Sequence, residues 1–169
     1  TNQGGLWDES QKLYPLLGGV FKHETKRWSF PWGSFVRLGH VQHEDDKYNY
    51  QGKEFQVMLF DEVQEFTETQ YLYIMAQNRT RDTTLECYLR STANPGGVGH
   101  GWVKQRWIDK LYTVTDPYKV RYKWFKREND EDVETTKADP FARSRSFVYA
   151  TLRDNPTLDK TYIATLHQL

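Results

Sequence analysis

Two adjacent carboxylates, Asp61 and Glu62, follow a run of apolar residues and are the side chains of this sequence best suited to catalysis. The run Val57-Met58-Leu59-Phe60, entered from Gly52, predicts a strand buried on both faces. In open α/β sheets, ligands bind at the carboxyl ends of strands, where this pair would lie. One acid can hold Mg²⁺ while the other orients or deprotonates a water, which is the chemistry of phosphoryl transfer. The alternative is a polar exit from a core strand.

Small polar residues follow the next predicted strand. Residues 84–92 alternate apolar and polar side chains, and the strand that they predict ends in Ser91-Thr92-Ala93-Asn94-Pro95. A helix is predicted between the two strands, with Thr67 as its N-cap and Gln70 completing a capping box. Strands joined by a helical crossover lie parallel, so we expect the acid pair and the small polar loop on one edge of a sheet.

A glycine-rich loop, Gly96 to Gly101, leads into an amphipathic helix predicted from Trp102. Such a loop can cradle phosphate, but G-x-G-x-G is a weak signal and no G-x-x-x-x-G-K-[ST] occurs in these residues. A turn and a helix cap explain the same residues. His100 is not predicted to bind metal, because the five histidines show no ligand spacing.

Residues 118–125 predict a strand in which aromatic and basic side chains alternate. Its basic face could follow a nucleic-acid backbone, although a solvated face on an edge strand is the simpler interpretation. Residues 128–139 are acidic and poor in apolar side chains, which predicts a surface loop or a disordered insert.

The other predicted elements are short. They are a helix over 10–17, a β-hairpin over 28–39 around Pro31-Trp32-Gly33-Ser34, a polar loop over 42–50, a strand over 147–152, a turn at Asp154-Asn155-Pro156 and a terminal helix over 157–169. The alternation of strands and helices favours an α/β fold with a largely parallel sheet.

The length and composition of the chain exclude several classes of protein. The 169 residues are enough for one ordinary domain, and 23 basic against 23 acidic residues leave no bulk attraction to nucleic acid or membrane. The single cysteine, Cys87, excludes a disulfide framework. We expect a soluble intracellular protein, because no apolar run approaches 18 residues and no signal-peptide pattern occurs. A start at Thr1 suggests a piece of a longer chain.

Four segments in this order resemble the large terminase subunit of tailed bacteriophages, which packages viral DNA with an ATPase domain and a separate nuclease domain. The segments are Tyr50-Gln51-Gly52-Lys53-Glu54-Phe55, Val57-Met58-Leu59-Phe60-Asp61-Glu62, Ser91 to Pro95 with Gly99-His100-Gly101-Trp102-Val103-Lys104, and Phe147 to Pro156. Each motif is common by itself, whereas the four in this order are specific.

The resemblance implies a three-layer, largely parallel sheet flanked by helices, as part of a P-loop NTPase fold of the RecA/ASCE-like type. Residues 1–169 would be a partial ATPase domain, with the Walker A loop upstream and the nuclease domain downstream, so this stretch alone is not expected to hydrolyse ATP. Asp61 in the Walker B segment would act on Mg²⁺ and Glu62 on the attacking water. In the coupling motif, Ser91, Thr92 and Asn94 would sense the γ-phosphate of ATP.

The resemblance also implies partners and a location. They are double-stranded DNA, the portal protein, the small terminase subunit and further copies in a homo-oligomeric ring, with no membrane, in the host cytoplasm rather than as a stable part of the virion.

Two alternatives stay open. A helicase-type P-loop motor would explain Asp61-Glu62-Val63-Gln64 as a D-E-x-Q box and Ser91-Thr92-Ala93 as a Ser-Ala-Thr motif. A non-catalytic α/β module that binds DNA or a capsid protein would leave Asp61 and Glu62 replaceable.

Overall fold

The computed structural model describes residues 5–156, and the chain divides into two compact units, Thr1–Lys53 and Glu54–Leu169. The predicted terminal helix over 157–169 lies outside the described residues. Within residues 5–156, no helix has the length and apolar character that crossing a bilayer requires.

The first unit combines a short helix with a small antiparallel sheet. Its elements are α1 (Leu6–Leu13), a 3₁₀ helix (Pro15–Leu17), β1 (Val20–Lys22), β2 (Arg27–Ser29), β3 (Phe35–Arg37) and a 3₁₀ helix (Glu44–Tyr50). The helix predicted over 10–17 begins earlier and changes to 3₁₀ geometry at Pro15, whose ring cannot continue an α-helix. The predicted hairpin is confirmed as β2 and β3.

An aromatic cluster forms the core of the first unit. Trp28 is 5% exposed and contacts the rings of Trp7, Tyr14 and Phe21. Its indole nitrogen donates a hydrogen bond of 3.2 Å to Ser10 Oγ, which satisfies the one polar atom that this burial would otherwise strand. One face of the three-stranded sheet therefore packs on α1.

The second unit carries the predicted strand–helix–strand segment and a separate antiparallel sheet. Its elements are β4 (Val57–Phe60), a 3₁₀ helix (Val63–Glu65), α2 (Glu68–Met75), β5 (Tyr88–Ser91), α3 (His100–Val103), a π-helical turn (Lys104–Ile108), α4 (Asp109–Leu111), β6 (Arg121–Glu128), β7 (Glu131–Thr135), β8 (Arg143–Phe147) and a 3₁₀ helix (Leu152–Asp154).

Strands β4 and β5 pair in parallel, as predicted, with Val57 opposite Tyr88 and Phe60 opposite Ser91. The capping box at the start of α2 is confirmed, because Thr67 Oγ1 accepts from the Gln70 amide and Gln70 Oε1 from the Thr67 amide. The α/β class is thus confirmed. In residues 5–156, however, the sheets are small, and β6 pairs antiparallel with β7 and β8 instead of extending the parallel pair.

The prediction that β4 is buried on both faces is wrong. Met58 and Phe60 are buried and point toward α2, where the Phe60 ring lies 5.2 Å from that of Tyr71. On the other face, Val57 is 41% and Leu59 is 75% exposed. The apolar run could not reveal this, since a residue pattern does not say which layers cover a strand.

The loop or disordered insert predicted over 128–139 is largely a β-hairpin. Asn129 and Asp130 both have positive φ, 49° and 64°, which suits a tight two-residue turn between β6 and β7. Asp132 of β7 lies directly opposite Arg127 of β6, and Glu134 binds Lys123, two residues from its own partner Phe125, at 2.9 Å. The segment was predicted to be a loop because it has few apolar residues, but contacts between charged side chains accompany its strand pairing.

The interpretation of β6 as an edge strand is also wrong, although the basic side chains of its inner face remain partly solvated. β6 is the central strand of its sheet, and Phe125, on the same face as Lys123 and Arg127, is only 1% exposed. The aromatic Tyr122 on the opposite face is 72% exposed. The basic face of β6 is therefore the inner one.

Asn78 fixes the starting ends of the parallel pair. It is 1% exposed, and its Nδ2 lies 3.0 Å from the Phe55 and Gln56 carbonyl oxygens and 3.3 Å from that of Tyr88. One amide thus links the entries of both strands and helps to set their register.

Candidate functional site at the carboxyl ends of the parallel strands

The backbone ladder continues past the ends of β4 and β5 and brings the two following loops together. The Thr92 amide donates to the Phe60 carbonyl at 3.0 Å, and the Val63 amide donates to the Thr92 carbonyl at 2.9 Å. The residues between these bonds, Asp61 and Glu62, are therefore held beside the loop that follows β5. This confirms the predicted placement of the acid pair and the small polar loop on one edge.

The Thr92 hydroxyl joins the two carboxylate residues directly. It donates to Asp61 Oδ1 at 2.7 Å and accepts from the Glu62 amide at 2.9 Å. One oxygen thus orients the Asp61 carboxylate and fixes the backbone of Glu62. All three residues are exposed, so both carboxylates remain open to a ligand from solvent.

Glu62 has an unusual backbone conformation. Its φ of 49° and ψ of 57° lie in the left-handed region, which costs a non-glycine residue about 1 kcal/mol or more. The conformation turns the chain from β4 into the 3₁₀ helix, and the Glu62 carbonyl accepts from the Glu65 amide at 2.8 Å. Glycine would adopt this turn without strain, so the glutamate side chain is retained at an energetic cost.

Gln64, which the sequence placed only in the D-E-x-Q box of the helicase alternative, is a central residue of this edge. It is 3% exposed, its Oε1 accepts from the Asn94 amide at 3.0 Å, and its carbonyl accepts from the Gly99 amide at 2.7 Å. It therefore connects the acid-bearing loop to both ends of the segment between β5 and α3. The D-E-x-Q spacing was the signal that could have identified it.

The glycine-rich loop packs against the acid-bearing loop. A Cβ on Gly97 would lie 2.5 Å from the Gln64 carbonyl oxygen, and one on Gly99 would lie 2.9 Å from the same atom. The Gly96 amide donates to His100 Nδ1 at 3.1 Å, and Gly99 donates to Gln64 as described. Because these amides already have partners, the loop is better explained as a close-packed turn than as a phosphate cradle.

The helical segment after the loop is tied to the same edge. Trp102 Nε1 donates to the Phe66 carbonyl at 2.9 Å, and its ring lies 4.9 Å from that of Tyr71. A displacement of the acid-bearing loop would thus act on α3 through Gln64 and Phe66.

The predicted site residues divide into two groups. Asp61, Glu62 and Thr92 are in direct contact. Ser91 ends β5 opposite Phe60, and Asn94 is held through its backbone by Gln64, with both residues exposed. We name the group Asp61, Glu62, Gln64, Thr92 and Asn94 the strand-end site.

A second polar group in the same unit surrounds the buried Arg106. Asp132 accepts from Arg145 through both carboxylate oxygens, at 2.6 and 2.7 Å, and also binds Arg106, which is 6% exposed. Burial alone would raise the pKa of Asp132, but the Arg145 hydrogen bonds and the charges of Arg106, Arg145 and Arg127 outweigh burial and hold that pKa below its ordinary value. For Arg106, a cation, burial acts in the opposite direction and lowers the pKa. We name Arg106, Arg127, Asp132 and Arg145 the arginine cluster.

Among residues 5–156, no group of three or more His, Cys, Asp or Glu side chains could hold a metal ion. An ion at the strand-end site would therefore be bound by one or two carboxylates with water and ligand oxygens, which is the usual mode for Mg²⁺ with phosphates.

Comparison of the chain with protein-family models, curated proteins and solved structures finds no match in any of the three.

Proposed function

We propose that this chain is part of the ATPase motor of a phage large terminase, which hydrolyses ATP to drive double-stranded viral DNA into the procapsid. One observation carries the proposal: a single hydroxyl, that of Thr92, bridges the Asp61 carboxylate and the Glu62 backbone across the ends of two parallel strands. The order of the four sequence motifs supports the same function. The fold proposed for the intact motor is the three-layer P-loop NTPase fold.

Ser91 and four residues of the strand-end site have roles in hydrolysis under this proposal. Asp61, oriented by Thr92, would hold Mg²⁺, which when bound neutralises charge on the phosphate oxygens. Glu62 would orient the attacking water and accept its proton. Ser91, Thr92 and Asn94 would respond to the γ-phosphate from the end of the neighbouring strand.

Coupling to DNA movement would begin at Asn94. The backbone amide of Asn94 donates a hydrogen bond to the Gln64 side chain, and the Gln64 carbonyl accepts one from the amide of Gly99, which precedes α3. A change at the γ-phosphate could thus pass through two hydrogen bonds to the helical segment 100–111. If these bonds exchanged between two arrangements, they would convert a local contact into movement.

The test of hydrolysis uses the full-length protein and measures Mg²⁺-dependent ATP turnover. Asp61→Asn should raise the Mg²⁺ concentration for half-maximal turnover by at least about tenfold. Asp130→Asn is the matched control, because Asp130 is fully exposed in the β6–β7 turn, where asparagine also tolerates a positive φ. An unchanged Mg²⁺ requirement in Asp61→Asn would remove Asp61 from the ion.

The test of coupling measures DNA translocation and ATP turnover separately. Asn94→Ala should lower the length of DNA moved per ATP by much more than it lowers turnover. A proportional fall in both, or no change in either, would make Asn94 structural.

A helicase-type motor is the second candidate, because the hydroxyl of Thr92, in the Ser-Thr-Ala segment, contacts Asp61 and Glu62 of the D-E-x-Q box directly. A forked DNA duplex with ATP distinguishes the two. A packaging motor leaves the strands paired, whereas a helicase separates them.

A further inference from the structure

The small sheet of the first unit carries three cations in a row across its strands. In the antiparallel register, Lys22 lies opposite Arg27, and Arg27 lies opposite Arg37. Residues directly opposite one another project from the same face, with Cβ atoms about 5 Å apart. The opposite face holds the buried Trp28. We name Lys22, Arg27 and Arg37 the cation row.

The cation row lacks the acidic partners that usually offset such a group. Like charges directly opposite one another destabilise a sheet. Within residues 5–156, none of the three cations forms an ion pair with a carboxylate. In contrast, Lys12 and Lys47 of the same unit each pair with a glutamate three residues away.

Positive charge is further concentrated near one end of the row. The pKa of Lys53 lies below its ordinary value, first because of partial burial and second because of the nearby Arg37 charge. A bound anion would relieve this repulsion.

Two buried polar atoms on the same face also lack partners. Arg27 Nε and Ser29 Oγ make no hydrogen bond within the described residues. They belong to the central strand and are two residues apart, so they lie on the face that carries the cation row. The Arg27 guanidinium is held over the Phe35 ring, 5.1 Å from its centroid. An acceptor from outside the chain, such as a phosphate oxygen or a water, would satisfy both atoms.

We propose that the cation row, with Ser29 and Phe35, binds the phosphate backbone of nucleic acid. Three neighbouring strands span about 10 Å, so the three long side chains can reach more than one phosphate. Guanidinium groups bind phosphate oxygens through two parallel hydrogen bonds. Val20 and Phe35, which are 63% and 46% exposed beside the row, offer apolar contact to sugars and bases.

This site differs from the strand-end site in residues and in ligand. It extends the proposed function, since a packaging motor must hold DNA, but its evidence lies in the sheet of the first unit alone. DNA binding measured without nucleotide therefore tests it separately from ATP hydrolysis.

The experiment measures binding of fluorescent 30-bp duplex and 30-nucleotide single-stranded DNA to the full-length protein by anisotropy, over a range of KCl concentrations. The double variant Lys22→Gln/Arg37→Gln should bind at least about tenfold more weakly, and its salt slope should fall by about 2, one for each lost phosphate contact. The weakening should be similar for DNAs of different sequence, because no base is read.

The matched control is Lys12→Gln/Arg81→Gln, which also removes one lysine and one arginine, each of them exposed and paired with a glutamate. It should bind like the wild type. Thermal unfolding should show that the Lys22→Gln/Arg37→Gln protein is folded and no less stable than the wild type, because repulsion is removed. The single variant Arg37→Gln, with a slope change of about 1, is the fallback if the double variant does not fold.

The outcomes separate the ligands. Greater loss with duplex than with single-stranded DNA assigns the row to double-stranded DNA, and the reverse assigns it to single strands. An unchanged slope in both Lys22→Gln/Arg37→Gln and Arg37→Gln would overturn the proposal. The proposal would also be overturned if poly-glutamate bound as tightly as DNA and lost that binding in Lys22→Gln/Arg37→Gln, since an acidic protein would then be the partner.

Discussion

The strand-end site and the arginine cluster both gather charged groups in the second unit, and they differ in how those charges are treated. In the arginine cluster, Asp132 is bound through both oxygens and Arg106 is almost fully buried. At the strand-end site, Asp61 and Glu62 are exposed, and Glu62 sits on strained backbone. Charges that are buried and paired hold parts of a fold together, whereas charges that are oriented yet open to solvent are available to a ligand.

The comparison predicts its largest stability effect at the arginine cluster. Asp132→Asn removes the carboxylate that offsets three guanidinium groups, and it should lower the free energy of unfolding by about 3 kcal/mol. Urea unfolding measures this. Asp130→Asn, in the exposed turn of the same hairpin, should change stability by less than about 0.5 kcal/mol. A small effect of Asp132→Asn would show that the cluster is not structural.

Thr92→Val should have an intermediate effect. Valine keeps the shape of threonine but removes the hydroxyl that serves Asp61 and the Glu62 amide, so unfolding should become easier by about 1 kcal/mol. Turnover should fall by at least about tenfold because Asp61 is no longer oriented. Thr92→Ser retains the hydroxyl and should behave like the wild type; equal losses in Ser and Val would contradict the role of the bridge.

Glu62→Gly should separate strain from chemistry. Glycine adopts the left-handed conformation freely, so this variant should be more stable than Glu62→Ala by about 1 kcal/mol, as measured by chemical unfolding. Both variants should lose turnover equally, because each lacks the carboxylate. If Gly and Ala were equally stable, the backbone of Glu62 would not be strained.

The smallest expected effect is a pH dependence at the arginine cluster. The pKa of Asp132 is held below its ordinary value of 3.8, so its contribution to stability is present above about pH 4 and is lost as the pH falls through the folded-state pKa. The stability difference between wild type and Asp132→Asn should therefore shrink as the pH falls from about 5 to about 2. A difference that stays constant across this range would exclude Asp132 as its source.

Sequence reasoning located the strand-end site because local patterns determine it. Three local signals place Asp61 beside Thr92: the apolar run followed by two acids, the capped helix after it, and the second strand. It did not assign Gln64 or Asn78, since a buried amide looks like any polar residue until its backbone partners are known. The β6–β7 hairpin was missed for a related reason: β7 is acidic and has few apolar residues, and contacts such as Lys123 with Glu134 cannot be read from hydropathy.

Faces were harder to predict than elements. The strand predicted over 118–125 lies at 121–128, and its basic face proved to be the inner one, because Arg106, Asp132 and Arg145 offset each other's charge beside Phe125. The burial of β4 was overestimated because the sequence does not show whether another element covers its second face. In both cases the local sequence was enough to predict the strand, but it did not show which elements pack against each face.

The most direct test of the central claim is ATP turnover by the full-length protein with Glu62→Gln, alongside Glu65→Gln as a control. Glutamine keeps the size of the side chain and removes its charge, and Glu65 is an exposed acid three residues further along the same loop. If Glu62 positions the attacking water, turnover of Glu62→Gln should fall by about 10²-fold or more while nucleotide still binds, and Glu65→Gln should turn over normally. Near-normal turnover by Glu62→Gln would contradict the account.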